Sequence, residues 1–171
     1  MKLDDLPPVE VMCEGKFVRA LRRGKWEYAS RAREIRAVVI LAEHDGKVIL
    51  VDQPRVPTDC RCIELPAGLV GDHDPSATVE ATAIKELEEE TGFTASHVQR
   101  LGDFYSSPGM LAEGFTLVRA HGVRKIGDGG GDDSEDINVH LVARADISNF
   151  IQQKRAEGFG VDAKLLLLLN H

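Results

Sequence analysis

Residues 65–93, LPAGLVGDHDPSATVEATAIKELEEETGF, constrain this chain more than any other stretch. A glycine-bearing turn runs into a helical pattern carrying four glutamates, Glu86, Glu88, Glu89 and Glu90. Side chains three and four apart share a helix face, so Glu86, Glu89 and Glu90 project to one side, with Glu88 about a third of a turn away. Three like charges on one face repel each other. A charge run is ordinarily a solvated face. The same grouping of carboxylates is also what hard divalent cations prefer as ligands. Composition alone favours the solvated face.

The helix has readable ends. Asp74 is expected as the N-cap, with Pro75 at the first helical position. Val79, Ala83, Ile84 and Leu87 form its expected buried side, and Gly92 suits a C-terminal stop. The acidic cluster falls in the last turn, where the helix dipole disfavours negative charge. That is a local cost which a bound cation would offset.

With 171 residues the chain is one domain, or one domain with a small appendage. A net charge of -7 argues against general binding to nucleic acid or an anionic membrane. It leaves nucleotides open, because a metal ion can bridge acidic side chains to phosphates. No apolar run is long enough to span a bilayer. The first residues, MKLDDLPPVEV, contain no apolar signal core, so a cytoplasmic location is expected. Cys13, Cys60 and Cys62 make an odd count without a zinc-site pattern and read as reduced structural thiols.

Residues 8–31 read as three short strands, 9–11, 17–21 and 25–29. So small an antiparallel unit buries little and needs a partner surface, on the main domain, a second subunit or both. Residues 35–42 are a strongly apolar strand, Asp45-Gly46 signals a tight hairpin, and 47–51 return. Further strands are expected at 62–65, 98–105, 114–120 and 137–143. Residues 106–110 form a turn, and the run GDGGGDDSE at 127–135 reads as a flexible loop. A helix is expected over 147–156, then a break at Gly158 and Gly160, then a final helix capped by Asp162. This order suggests an α/β or α+β sandwich.

Residues 85–93, KELEEETGF, resemble the second half of a Nudix box, whose pattern is Gly, five residues, Glu, seven residues, Arg-Glu-apolar-x-Glu-Glu-x-Gly-apolar. Lys85 stands where the pattern has Arg. The first half is looser. Counted forward from Gly68, Asp74 takes the place of the first Glu and Lys85 comes three positions late; counted back from Lys85, Gly71 takes the Gly position and Ala77 the Glu. A short insertion before the helix reconciles the two, because Leu65-Pro66-Ala67-Gly68 also matches the family. Lys is a point charge where Arg offers a fork, so Lys85 orients a neighbouring carboxylate less rigidly.

The resemblance implies a Nudix-type α/β/α sandwich with a mixed sheet at 34–171, preceded by an N-terminal β appendage at 1–33 for dimerisation and base binding. The features outside the box are similar to the ADP-ribose pyrophosphatase branch. Trp26-Glu27-Tyr28-Ala29-Ser30-Arg31 resembles its Trp-Glu segment, in which Trp stacks on adenine. Gln53-Pro54-Arg55 resembles its Gln-x-Arg, whose Arg meets the substrate phosphates. Ser107-Pro108-Gly109 with Glu113 resembles its Ser-Pro-Gly loop, and residues 133–137 resemble an acidic loop that carries a catalytic Glu.

By that resemblance Glu86, Glu89, Glu90 and the Ala67 carbonyl hold Mg2+, or Mn2+. Glu90 also counts among the catalytic residues, with Glu135 or Asp133 as the base. Trp26, Glu27, Arg31, Arg55 and Glu113 bind substrate. The implied reaction is metal-dependent hydrolysis of the diphosphate of a nucleoside diphosphate sugar, ADP-ribose giving AMP and ribose 5-phosphate, in a homodimer with no nucleic-acid or membrane partner. GDP-mannose or another nucleoside diphosphate derivative is the alternative substrate. A non-catalytic nucleotide sensor is the alternative of a different class. Each residue also has an ordinary role open to it: Trp26 in packing, Arg31 and Arg55 as surface charges, Glu113 flanking a strand, Asp133 and Glu135 as loop solvation.

Overall fold

The fold of the chain is given by a computed structural model that describes residues 2–33, 35–72, 74–131 and 135–169, with residue 169 described by its backbone alone. Three strands come first, β1 (Glu10–Glu14), β2 (Val18–Arg23) and β3 (Trp26–Arg31), forming an antiparallel sheet in that order. Next are β4 (Ala37–Leu41), β5 (Glu43–His44), β6 (Lys47–Arg55), β7 (Cys60–Glu64) and β8 (Ala67–Leu69). Helix α1 (Val79–Thr91) leads to β9 (Phe93–Thr94), β10 (His97–Tyr105), β11 (Gly114–His121), β12 (Arg124–Lys125) and β13 (Asn138–Ala143). Helix α2 (Ile147–Ala156), β14 (Gly160–Val161) and a 3-10 turn at Ala163–Leu169 finish the chain.

Two larger sheets make the body. One has the order β10-β11-β4-β8, with β11 and β4 parallel and the other pairs antiparallel. The other runs β13-β6-β7-β14, with β5 hairpinned onto β6. Asp45 and Gly46 both have positive φ, as a two-residue hairpin of this type needs.

The apolar run of β4 is explained by burial on both faces. Successive strand side chains point oppositely. Val38 and Ile40 meet Ala83, Leu87 and Phe93 on the α1 side, whereas Val39 and Leu41 meet Phe115, Leu117 and the C-terminal Leu165 and Leu168 on the other. β6 divides likewise, Ile49 towards α1 and Val48 and Leu50 away from it. The result is the expected helix–sheet–helix layering. Among the described residues no helix is long and apolar enough to cross a membrane.

The start of α1 differs from expectation. Thr78, not Asp74, is the N-cap, its hydroxyl accepting from the Ala81 N–H at 3.2 Å. Asp74 instead accepts from the N–H and hydroxyl of Ser76, closing a turn that precedes the helix, so Pro75 is not helical. Both residues are good caps by chemistry; the helix begins where its apolar face meets the sheet. The C-terminal stop is as expected: Gly92 adopts φ 71° and donates to the Glu88 carbonyl at 3.0 Å.

The glycines at 129–131 are tied to the helix rather than free, as their composition suggests they would be. The N–H groups of Gly130 and Gly131 donate to the Glu90 and Glu89 carbonyls at 2.9 and 3.0 Å, satisfying acceptors that a helix end leaves open. Gly129 has φ +72°, and a Cβ there would overlap the backbone of Thr91. Gly129→Ala is therefore expected to lower stability by about 1–3 kcal/mol, through left-handed strain and loss of this close approach. A thermal melt unchanged from wild type would show that the run does not depend on that approach.

Candidate active site

The faces of α1, β4, β7 and β8 enclose a cavity of about 950 Å³. Lys85, Glu86, Glu89 and Glu90 line it, and Glu88 does not, which is the facing the i, i+3, i+4 spacing requires. Glu90 is the deepest of them, with 5% of its surface exposed. Its Oε2 accepts the Ala67 N–H at 3.1 Å, tying the end of α1 to β8. β8 comes close enough that a Cβ on Gly68 would overlap the Glu86 carboxyl. Gly68 thus leaves room for the Glu86 carboxyl where it sits here.

The electrostatics follow from that crowding. Burial pushes the Glu90 carboxyl up to about 8, aided by the charges of Glu86 and Glu135, while the Ala67 N–H and Arg55 act the other way. Lys85 pairs with Glu89 at 2.5 Å, the neutralising role its position allows a lysine.

The chemistry of this donor set fits a hard divalent cation, which would relieve the repulsion that burial imposes on Glu90. Among the described residues no three acid, His or Cys side chains are gathered round one point in the way a closed metal cage would have them. Glu89 in particular is turned to Lys85, so ligation by Glu89 requires that pair to open.

Two arginines and a further lysine line the same cavity. Arg55, at the end of β6, makes a fork of two 2.6 Å bonds to Glu64 from β7. Arg31, at the end of β3, holds Glu113 at 2.7 Å through Nε. Lys164 pairs with Asp162 beside them. Glu135 lines the same cavity, near enough to Lys85 and Glu90 for its charge to favour their protonated forms.

The expected residues Ala67, Glu86, Glu89, Glu90, Arg31, Arg55, Glu113 and Glu135 are therefore brought together in one cavity. Asp133 lies outside the described residues. Trp26 and Glu27 are exposed and do not line the cavity. They begin the strand that Arg31 ends, about 16 Å away at the rise of a β-strand.

Glu64 and Lys164 went unnoticed in the sequence. Glu64 sits in an apolar run that reads as core, and Lys164 in front of a leucine run. For Glu64 a signal was available: a buried acid inside a strand requires a partner, and Arg55 is the cation that β6–β7 pairing brings within reach.

The NUDIX domain family model matches residues 32–161. An ADP-ribose pyrophosphatase of Bacillus subtilis (strain 168) is 44% identical over 78 residues, 45% of this chain and 40% of that protein. This chain thus spans well under two thirds of that relative's length. A GDP-mannose pyrophosphatase of Pectobacterium atrosepticum is 29% identical over 170 residues, 91% of this chain and 84% of that protein. A crystal structure of an ADP compounds hydrolase superposes with a TM-score of 0.66 at 22% identity, covering 84% of this chain and 82% of that one, a likeness of fold.

The Glu90 environment gives a pH dependence. Its carboxyl has a pKa near 8 in the fold against an ordinary 4.5. Between those values the folded state holds the proton more tightly than the unfolded state, so unfolding releases it. Stability from this group is full below about 4.5 and is lost as pH rises to about 8. In EDTA the melting temperature should carry a downward component through that window, and Glu90→Gln should remove it. An identical pH slope in the variant would contradict the assignment.

Carboxylates on the cavity side of α1, a close glycine on β8 and the family model over most of the chain agree, and the chain belongs to the NUDIX domain family.

Proposed function

We propose that the chain hydrolyses the diphosphate bond of a nucleoside diphosphate sugar, with ADP-ribose as substrate and AMP and ribose 5-phosphate as products. The observation that carries this is the cavity itself. Carboxylates suited to a divalent cation line it together with two arginines, each already aligned by a carboxylate partner. A diphosphate needs both halves of that arrangement.

Glu86, Glu89, Glu90 and the Ala67 carbonyl would hold the cation, which we take to be Mg2+, with Mn2+ able to replace it. When bound, such an ion neutralises phosphate oxygens and lowers the pKa of a water. Arg55 and Arg31 orient the diphosphate, exchanging part of their pairing with Glu64 and Glu113 for phosphate oxygens. Glu135 takes the proton of the attacking water. The water oxygen bonds to one phosphorus, and the bridging oxygen leaves with the other phosphate. Asp133 remains the alternative base, and inactivity of Asp133→Asn beside an active Glu135→Gln would exchange the two.

Trp26 supplies the base platform, and its distance along β3 from Arg31 favours donation across a homodimer. The exposed apolar side chains of the N-terminal sheet support that assembly, Val9, Val11, Phe17 and Trp26 each being 44–63% exposed. Trp26→Ala should raise the Michaelis constant about tenfold, since stacking on an aromatic contributes roughly 1–3 kcal/mol per base. Light scattering that shows a monomer, or an unchanged Michaelis constant, would return Trp26 to ordinary packing.

GDP-mannose is the second reading, because the resemblance to the Pectobacterium atrosepticum protein extends over 91% of this chain. The retained acidic cluster weighs against a sensor that binds without cutting. Purified protein with Mg2+, assayed on ADP-ribose, GDP-mannose, UDP-glucose, NADH and diadenosine polyphosphates, decides among them. The proposal expects ADP-ribose to give the highest kcat/KM, and cleavage of none of the panel would overturn it.

A further inference from the structure

Outside the cavity, the most heavily bonded polar cluster among the described residues is centred on Asp52. This aspartate on β6 is 1% exposed. Its Oδ1 accepts from Arg61 Nε at 2.5 Å and Asn138 Nδ2 at 3.1 Å, and its Oδ2 lies 2.5 Å from His140 Nε2. A charge so deeply buried persists only when paired and hydrogen-bonded. Arg61 meets that need with one side of its guanidinium.

The other side of the guanidinium reaches the acid loop. Arg61 Nη1 donates to Asp136 Oδ2 at 2.6 Å, and Nη2 donates both to the Asp52 carbonyl at 3.1 Å and to the Asp136 carbonyl at 2.9 Å. Asp136 follows Glu135 directly. Arg61 itself does not line the cavity, whereas Glu135, the residue before its partner Asp136, does.

We propose that Arg61 is a positioning residue: anchored on buried Asp52, its planar fork fixes Asp136 and so holds the neighbouring Glu135 in the cavity that Glu90 also lines. This rests on the assignment of Glu135 as the base. The loop is then fastened at both ends, to α1 through Gly130 and Gly131 and to β7 through Arg61. Only arginine suits the position. A lysine carries the charge but cannot donate to the aspartate and to two carbonyls in one plane.

Asp136 gives the cleanest test, because its side chain is 71% exposed and its loss threatens the fold little. Asp136→Ala and Arg61→Lys should each lower kcat about tenfold, the size of effect a small displacement of a reacting group produces, with KM within about twofold of wild type. Asp136→Asn keeps an oxygen for Nη1 and should restore most of the rate.

The Asp136→Ala change is then repeated in Glu135→Gln. Loss of positioning should cost nothing further once the base is gone, so the two effects should not add. Additive losses, or a raised KM at constant kcat, would overturn the proposal while leaving Glu135 as the base. A fully active Glu135→Gln would overturn the assignment of the base, and the proposal with it.

Discussion

The carboxyl of Glu90 is buried at the end of a helix whose dipole points its negative pole the same way, and its neighbours in the cavity include Glu86 and Glu135. Everything around it answers to that concentration of charge. The Ala67 N–H donates to it, Lys85 draws Glu89 aside, and the protein side chain itself is pushed towards the neutral form. None of these removes the repulsion. A fold stabilised on its own account would place apolar side chains there, as it does one helical step away at Leu87. The retained cost is intelligible when a divalent cation completes the site.

The same helix end organises the loop. Its open carbonyls accept from Gly130 and Gly131, and Glu135, a few residues on, lines the cavity. Those bonds satisfy the helix terminus. In the same cavity the arginines are held in ion pairs, Arg55 with Glu64 and Arg31 with Glu113. On the proposed function, such pairs would hold each guanidinium in position for a phosphate.

Much of this was legible in the sequence. The facing of Glu86, Glu89 and Glu90 follows from helix geometry, and the two-sided burial of β4 from its unbroken apolar run. Helix α2 covers the residues its pattern predicts, 147–156. What was not legible depends on tertiary contact. Asp74 and Thr78 are both competent caps, and only docking against the sheet selects Thr78. Glu64 looks like an intrusion in a core strand until β6 brings Arg55 to it. The glycine run reads as flexible because its partners, the carbonyls of α1, lie more than 30 residues earlier in the chain by its numbering. Asp52 and Arg61 carry no motif at all; they are joined by β6–β7 pairing.

On this reading the acidic helix end is a cation site and not a solvated surface. Titration of metal-free protein with Mn2+ near pH 7.5, read from the loss of the free-ion signal in electron paramagnetic resonance, measures that directly. The account predicts saturable binding at a small whole-number stoichiometry, weakened at least about tenfold in Glu90→Gln, as expected when a charged oxygen ligand is removed. Absence of binding by the wild type, or equal affinity in the two proteins, would contradict it.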